Sequence, residues 1–355
     1  MPTCMNEPRP FRYKLLGRTG LRVSEACLGT MTFGEDWGFG SAKEECQRMF
    51  DAFVARGGNF LDTANLYTKG SSERILGELV AHDRDRFVVA TKYTLSQRAG
   101  DPNAAGNHRK SMVAALEASL KRLGTHYVDL YWVHAADLLT PVDETMRALD
   151  DLVRAGKVLH VGISDAPAWQ VAQMNTMAEF RGWTAFAALQ IEYSLIQRTP
   201  ERDLLPMAKS FGLTVTPWGA LGGGVLSGKY RREGEQATAT DSRRVNQNQG
   251  RATEAKLSVA ALTAEIAREV GRTPSQVALA WARQQGANVV PILGARNVDQ
   301  LHDNLGAWDF DLDAVQLGRL DAQSKIDLGF PHDFLAQDWI RNGVQGDVWR
   351  RIDRP

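Results

Sequence analysis

The amino-acid sequence predicts an α/β protein folded as a (β/α)8 TIM barrel, and three observations carry that prediction. Eight short apolar runs alternate with helix-period segments along most of the chain, which is how a parallel sheet with crossover helices reads in one dimension. An open dinucleotide-binding sheet would carry G-x-G-x-x-G after its first run, but Gly38-Phe39-Gly40 is followed by Ser41-Ala42-Lys43, with Lys43 where the third glycine belongs. The 355 residues suit one such barrel with insertions, read here as a single domain over 1–355 with a core from about 13 to 331 and a C-terminal extension, 332–355.

Residues 13–25 come first, with two short runs around Arg18-Thr19-Gly20, and predict a β-hairpin that plugs one end of the barrel. The predicted strands are 25–30, 59–64, 86–93, 128–134, 158–164, 187–193, 213–219 and 287–293. Between them the clearest helix is 108–124, where Met112, Leu116, Leu120 and Leu123 recur at three- and four-residue steps until Gly124 stops it. Ser72, followed by Glu73 and Arg74, is expected to cap the second helix, and Thr140 the fourth, with Pro141 at its first helical position. Residues 231–256 are polar, with almost no core-forming side chains, and predict a long mobile loop after the seventh strand, on the active face.

Hydrophobic content of 43% and charged content of 24% are those of an ordinary globular protein. Lys+Arg and Asp+Glu are both 42, so no excess positive charge draws the molecule to nucleic acid or an anionic membrane, and a small-molecule partner is expected. Cys4, Cys27 and Cys46 are odd in number and unclustered, which predicts neither a disulfide framework nor a zinc site but a reducing compartment. The seven histidines have no ligand spacing, so no metal is expected. With no leader-like apolar run at the amino terminus and no run of 18 apolar residues, the expectation is a cytoplasmic protein without a membrane span. Homo-oligomer formation is left open.

In a β/α barrel, the polar residue that ends each apolar run faces the catalytic mouth. The second run ends in Asp62, with Tyr67 five residues on, the third in Lys92 and the fourth in His134. A free tyrosine has a pKa of about 10, so it is a useful proton donor only where a cation stabilises the phenolate it leaves. Lys92 supplies that cation, Asp62 would hold it charged, and His134 could orient a carbonyl. The set suits protonation of an oxygen that gains negative charge when hydride attacks its carbon. Taken singly, each residue has a structural alternative: a turn cap for Asp62, packed residues for Tyr67 and His134, a solvated strand end for Lys92. Together, on three successive strands, the catalytic reading is preferred. Phe33, Trp37, Tyr93 and Trp132 could wall an apolar pocket or pack as core, and both readings stand.

The segments NFLDTANLY, VVATKY and LYWVH resemble those that carry the Asp, Tyr, Lys and His tetrad of the aldo-keto reductase superfamily, over about 13–331. GNHRKSM, GKVLHVGISDAPAW and TPWGALGGG resemble its aryl-alcohol dehydrogenase branch. The resemblance implies a reductase of aldehydes or ketones that uses NADPH, with the four roles falling to Asp62, Tyr67, Lys92 and His134; aromatic substrates fit the branch. It implies that Gly29, Thr30 and Met31 run beside the ribose and nicotinamide near Asp62. Ser164, Asp165 and Gln190 would bind the carboxamide, and Trp218 would stack on the ring. Many relatives have Asn where Asp165 stands, although a carboxylate can still accept from the amide nitrogen. Gly219, Ala220, Leu221, Gly222, Gly223 and Lys229 would cover the pyrophosphate. Gly294, Arg296, Gln300, Asp303 and Asn304 would take the adenosine phosphate, Arg296 clasping a 2′-phosphate and so favouring NADPH over NADH.

Two other readings are open. Potassium-channel β-subunits resemble the same barrel and act as cofactor-sensing partners, although they lack the histidine found here as His134. A Schiff-base enzyme using Lys92 is the other, but that chemistry wants a lysine of lowered pKa, which Asp62 opposes.

Overall fold

The computed structural model describes residues 8–228 and 253–353. Two antiparallel strands come first, β1 (Tyr13–Leu15) and β2 (Arg22–Ser24), with Tyr13 opposite Ser24. Eight parallel strands follow: β3 (Cys27–Gly29), β4 (Phe60–Asp62), β5 (Val88–Tyr93), β6 (Val128–Val133), β7 (Val158–Ser164), β8 (Phe186–Glu192), β9 (Thr214–Trp218) and β10 (Ile292–Leu293). They lie in the order β10-β3-β4-β5-β6-β7-β8-β9. The sheet closes where the Val215 N–H donates to Asn288 O at 2.9 Å and the Val290 N–H donates to Val215 O at 2.8 Å. This is the (β/α)8 barrel with an N-terminal hairpin that the sequence predicts.

The crossovers are helical: α1 (Lys43–Ala55), α2 (Ser71–Val80), α3 (Arg109–Leu123), α4 (Val142–Arg154), α5 (Ala168–Arg181) and α6 (Leu204–Phe211). Then come α7 (Glu254–Glu269) and α8 (Pro274–Arg283) before β10, and α9 (Val298–Leu305) and α10 (Ala314–Ser324) after it. Short helices α11 (His332–Leu335) and α12 (Asp338–Gln345) lie in the predicted C-terminal extension. Helix α3 follows its sequence pattern: Met112, Leu116, Leu120 and Leu123 are buried, and Gly124 ends it in the left-handed conformation. Among the described residues, no helix is long and apolar enough to cross a membrane.

Successive residues of a strand point to opposite faces, so the barrel has two cores. Val89, Tyr93, Tyr131, Val161 and Leu189 pack outward under the helices. Cys27, Phe60, Val88, Ala90, Leu130, Trp132 and Ala188 point inward and fill the cylinder. Leu16 and Val23 of the hairpin belong to that inner cluster and are fully buried. The plug is pinned by the Gly17 N–H donating to Thr214 Oγ1 at 2.7 Å and Lys14 Nζ donating to Val289 O at 2.8 Å.

Several local expectations are corrected. The eighth strand, expected over 287–293, keeps only Ile292 and Leu293 because Pro291 lacks the N–H that a ladder needs; its carbonyl still accepts from the Cys27 N–H at 3.0 Å. Ser72 does not cap α2; its hydroxyl donates to Thr30 O at 2.7 Å, and Thr68 Oγ1 instead accepts from the Ser72 N–H at 3.0 Å. Thr140 turns its hydroxyl to Asp137 Oδ2 at 2.6 Å, and Pro141 occupies the cap position itself, one residue before α4 begins. The loop expected over 231–256 lies outside the described residues up to 252, but its end is helical, since Thr253 caps α7 by accepting from the Lys256 N–H.

Candidate active site

Strand alternation sets the site. Asp62 lies two residues beyond inward Phe60, Lys92 two beyond Ala90, His134 two beyond Trp132 and Gln190 two beyond Ala188, so all four sit on the inner face at the carboxyl ends. Tyr67 follows β4 in the turn that leads to α2.

Lys92 is fully buried. Its Nζ donates to Asp62 Oδ2 and to Thr63 O at 2.8 Å, and the Tyr67 side chain packs beside it. A carboxylate and a backbone carbonyl thereby pair the ammonium, as burial of a charge requires. Asp62 Oδ1 accepts from Gln190 Nε2 at 3.2 Å, so the carboxylate is fixed from two sides. The ammonium also lies 4.9 Å from the centroid of the Tyr67 ring, and the ring stands edge-on to His134 with centroids 5.9 Å apart. Asp62, Tyr67, Lys92 and His134 therefore meet at one point, although they lie far apart in sequence.

The charges there follow from burial and neighbours. Burial works against the Lys92 ammonium, but Asp62 and then Tyr67 outweigh it and hold its pKa above the ordinary lysine value. Burial raises the Tyr67 phenol more than Lys92 lowers it, so Tyr67 stays protonated at neutral pH and holds a proton to give. Burial, then the Lys92 charge, pushes His134 from 6.5 down to about 3, leaving a neutral imidazole. Its Nδ1 is buried without a partner, which leaves Nε2 to serve a ligand.

The family model for the aldo/keto reductase family matches residues 25–325. The chain belongs to that family. This aldo/keto reductase is 40% identical to norsolorinic acid reductase stcV of Emericella nidulans, covering 90% of this chain and 82% of the relative. It is 36% identical to the norsolorinic acid reductase of Aspergillus flavus, covering 99% and 92%. A putative aryl-alcohol dehydrogenase of Saccharomyces cerevisiae, AAD14, is 34% identical, covering 92% and 90%. The aldo/keto reductase is thus an oxidoreductase of carbonyl and alcohol groups, in a family that generally uses NAD(P)H.

Whether the other strand ends fit a nicotinamide dinucleotide is decided by their shape and donors. Ser164 and Gln190 are opposite each other across β7 and β8. Asp165 holds a left-handed φ of 45° and accepts from Trp218 Nε1 at 3.1 Å, which sets the half-buried indole at the lip. After Gly219, Ala220 and Leu221, glycines 222, 223 and 224 have φ of 58°, 67° and 103°, and a Cβ on Gly222 would fall 2.3 Å from Ile196 Cδ1. The Gly222 and Gly224 N–H groups close the turn by donating to Gly219 O at 2.7 Å and Leu221 O at 3.0 Å, so what the segment offers a pyrophosphate is a backbone without side chains that permits close approach. Gly29 pairs with Asp62, and the Thr30 N–H and hydroxyl both donate to the Asp62 backbone carbonyl, so this turn, which continues into Met31, holds the strand end that carries the carboxylate.

The adenosine-side residues divide. Gln300 Oε1 accepts from the Arg296 N–H at 3.0 Å and Asn304 Nδ2 donates to Gly294 O at 3.2 Å, so both shape the Gly294–Arg296 turn. Asp303 faces away from it, its carboxylate accepting from Thr273 Oγ1 at 2.9 Å and Gln276 Nε2 at 3.2 Å. Lys229 lies outside the described residues. Of the four aromatic candidates, Phe33 is core, Tyr93 stacks on Tyr131 outside the barrel, and Trp132 fills its interior. Trp37 alone of them stands at the site, edge-on to Tyr67 with centroids 6.3 Å apart and Phe39 5.7 Å beyond.

Proposed function

We propose that this enzyme reduces an aldehyde or ketone with NADPH, reversibly, and that Tyr67 is its general acid. The observation that carries the reading is the buried Lys92 ammonium, bonded to the Asp62 carboxylate and packed against Tyr67 beside a neutral His134. When bound, the dinucleotide supplies hydride to the carbonyl carbon. As charge grows on the carbonyl oxygen, Tyr67 Oη gives it a proton, and the phenolate left behind is stabilised by Lys92. Asp62 keeps that lysine charged and in place, while His134 Nε2–H aligns the same oxygen. The indole of Trp218, anchored by Asp165, is a platform for the nicotinamide face, and Ser164 with Gln190 can hold its carboxamide. Trp37 and Phe39 offer a planar aromatic substrate a wall, and relatives named for norsolorinic acid and aryl alcohols support that class. A reducing, cytoplasmic setting accords with free, buried Cys27 and Cys46.

The test is a panel of aromatic and aliphatic carbonyl compounds, 4-nitrobenzaldehyde among them, assayed with NADPH and NADH in parallel. Oxidation of neither cofactor by any compound would sink the reading. Arg296 is assigned to the 2′-phosphate, so Arg296→Met is expected to raise KM for NADPH by about 10–100-fold, the worth of a charge-assisted contact, and to leave KM for NADH nearly unchanged. Equal losses with both cofactors would remove that assignment.

His134 predicts a pH effect with a definite sign. Unfolded, its imidazole takes a proton near 6.5, whereas in the folded chain it does so only near 3. Between those values the unfolded state binds more protons, so its contribution to stability falls as the pH drops through that window and is constant above 6.5. His134→Asn is therefore expected to flatten the acid-side decline of Tm; an unchanged slope relative to wild type would show that His134 is not held neutral.

A further inference from the structure

We propose that Thr94 and Asn107 are positioning residues that hold His134 in register with Lys92, an inference that rests on the reading of His134 as the group that aligns the substrate carbonyl. Thr94 comes two residues after Lys92, just past the end of β5, and has φ of 92°. A β-branched residue in that region is strained, and such strain persists only where the surroundings over-determine it. What over-determines it is a directed chain of hydrogen bonds. The buried Thr94 hydroxyl accepts from the His134 N–H at 3.2 Å and donates to Asn107 Oδ1 at 2.6 Å. Asn107 Nδ2 then donates to Ala135 O at 3.1 Å, so the backbone is gripped at the amide that enters His134 and again at the carbonyl of the next residue. The Asn107 N–H donates to Asp137 Oδ2 at 2.9 Å, which closes the loop onto the turn that follows His134.

The network acts on the backbone of residues 134 and 135. The imidazole packs edge-on against Tyr67, but its Nδ1 has no partner, so no hydrogen bond at that atom fixes the ring. Its placement relative to the Tyr67 hydroxyl depends on where the backbone of residue 134 is held, and a shift on the order of 1 Å there is enough to cost turnover. The Gly106 N–H donates to Thr94 O at 2.8 Å, and the whole 94–107 loop is thereby tied to the two strands that carry Lys92 and His134.

The experiment compares Thr94→Val, Thr94→Ser and Asn107→Ala with His134→Gln, each alone and the first also combined with His134→Gln. Valine keeps the β-branching and the backbone strain but loses the hydroxyl; serine keeps the hydroxyl. Steady-state kinetics with 4-nitrobenzaldehyde and NADPH, cofactor Kd by fluorescence quenching, and Tm are measured for all. Thr94→Val and Asn107→Ala are expected to lower kcat about ten-fold, the kinetic equivalent of one hydrogen bond, with Kd for NADPH unchanged. Thr94→Ser should recover most of the loss, and Thr94→Val should cost little more once His134 is already glutamine. Undiminished kcat in Thr94→Val and Asn107→Ala, with His134→Gln impaired, overturns the inference alone, as does a full ten-fold loss in the His134→Gln background. Normal turnover in His134→Gln removes the reading of His134, and this inference with it.

Discussion

Tyr67→Phe is expected to lower kcat for carbonyl reduction by about 10²–10⁴-fold while leaving the affinity for NADPH close to that of the wild type, because positioned proton transfer is worth that much. The phenol is removed without changing the ring that stands edge-on to His134 and Trp37, so the walls of the site are kept. A loss of turnover with binding retained separates proton donation from a packing role. It also separates an enzyme from a cofactor-sensing partner protein, in which the same change would alter neither turnover nor binding. Turnover that stays within a few-fold of wild type would end the assignment of Tyr67.

Lys92→Met has the second large effect, and it falls on stability as well as activity. Lys92 is buried and paired with Asp62, and its removal strands the Asp62 carboxylate, only 3% exposed, in the interior with Gln190 as its remaining side-chain partner. Breaking one half of a buried pair costs about 3–5 kcal/mol, whereas replacing both halves costs far less. The double variant Asp62→Asn/Lys92→Met is therefore expected to unfold at a denaturant concentration near that of wild type, and the single variant well below it. Both should lack activity, since neither can stabilise a Tyr67 phenolate. If the single variant were as stable as the wild type, Asp62 would not depend on Lys92 for its burial.

Much of this site was legible because a parallel barrel places the polar end of each apolar run at one mouth. Asp62, Lys92 and His134 could be read from three strand ends without any long-range information. The same alternation sorts the aromatic residues: Trp132, two before His134, must point inward, and Tyr93, next to Lys92, must point outward. Other features depended on partners that no local pattern reveals. Ser72 has the composition of a helix cap, yet the nearby Thr30 carbonyl claims its hydroxyl, 42 residues away. Asp303 has the charge and position of a cofactor contact, but its carboxylate accepts from Thr273 and Gln276, the pair that caps α8. Thr94 and Asn107 went unread because their bonds to the backbone of 134 and 135 cross 40 and 28 residues; GNHRKSM marked the branch but gave no hint of what its asparagine touches. Only the proline in 287–293 was a local signal overlooked, since Pro291 shortens the last strand by ordinary backbone chemistry.

The hairpin bears on how the cylinder is used. Among the described residues, Leu16 and Val23 cork its floor, and Phe60, Leu130 and Trp132 fill the cylinder above them. A base packed in this way leaves the opposite rim, where Lys92 and His134 stand, as the doorway that reactant and product would share.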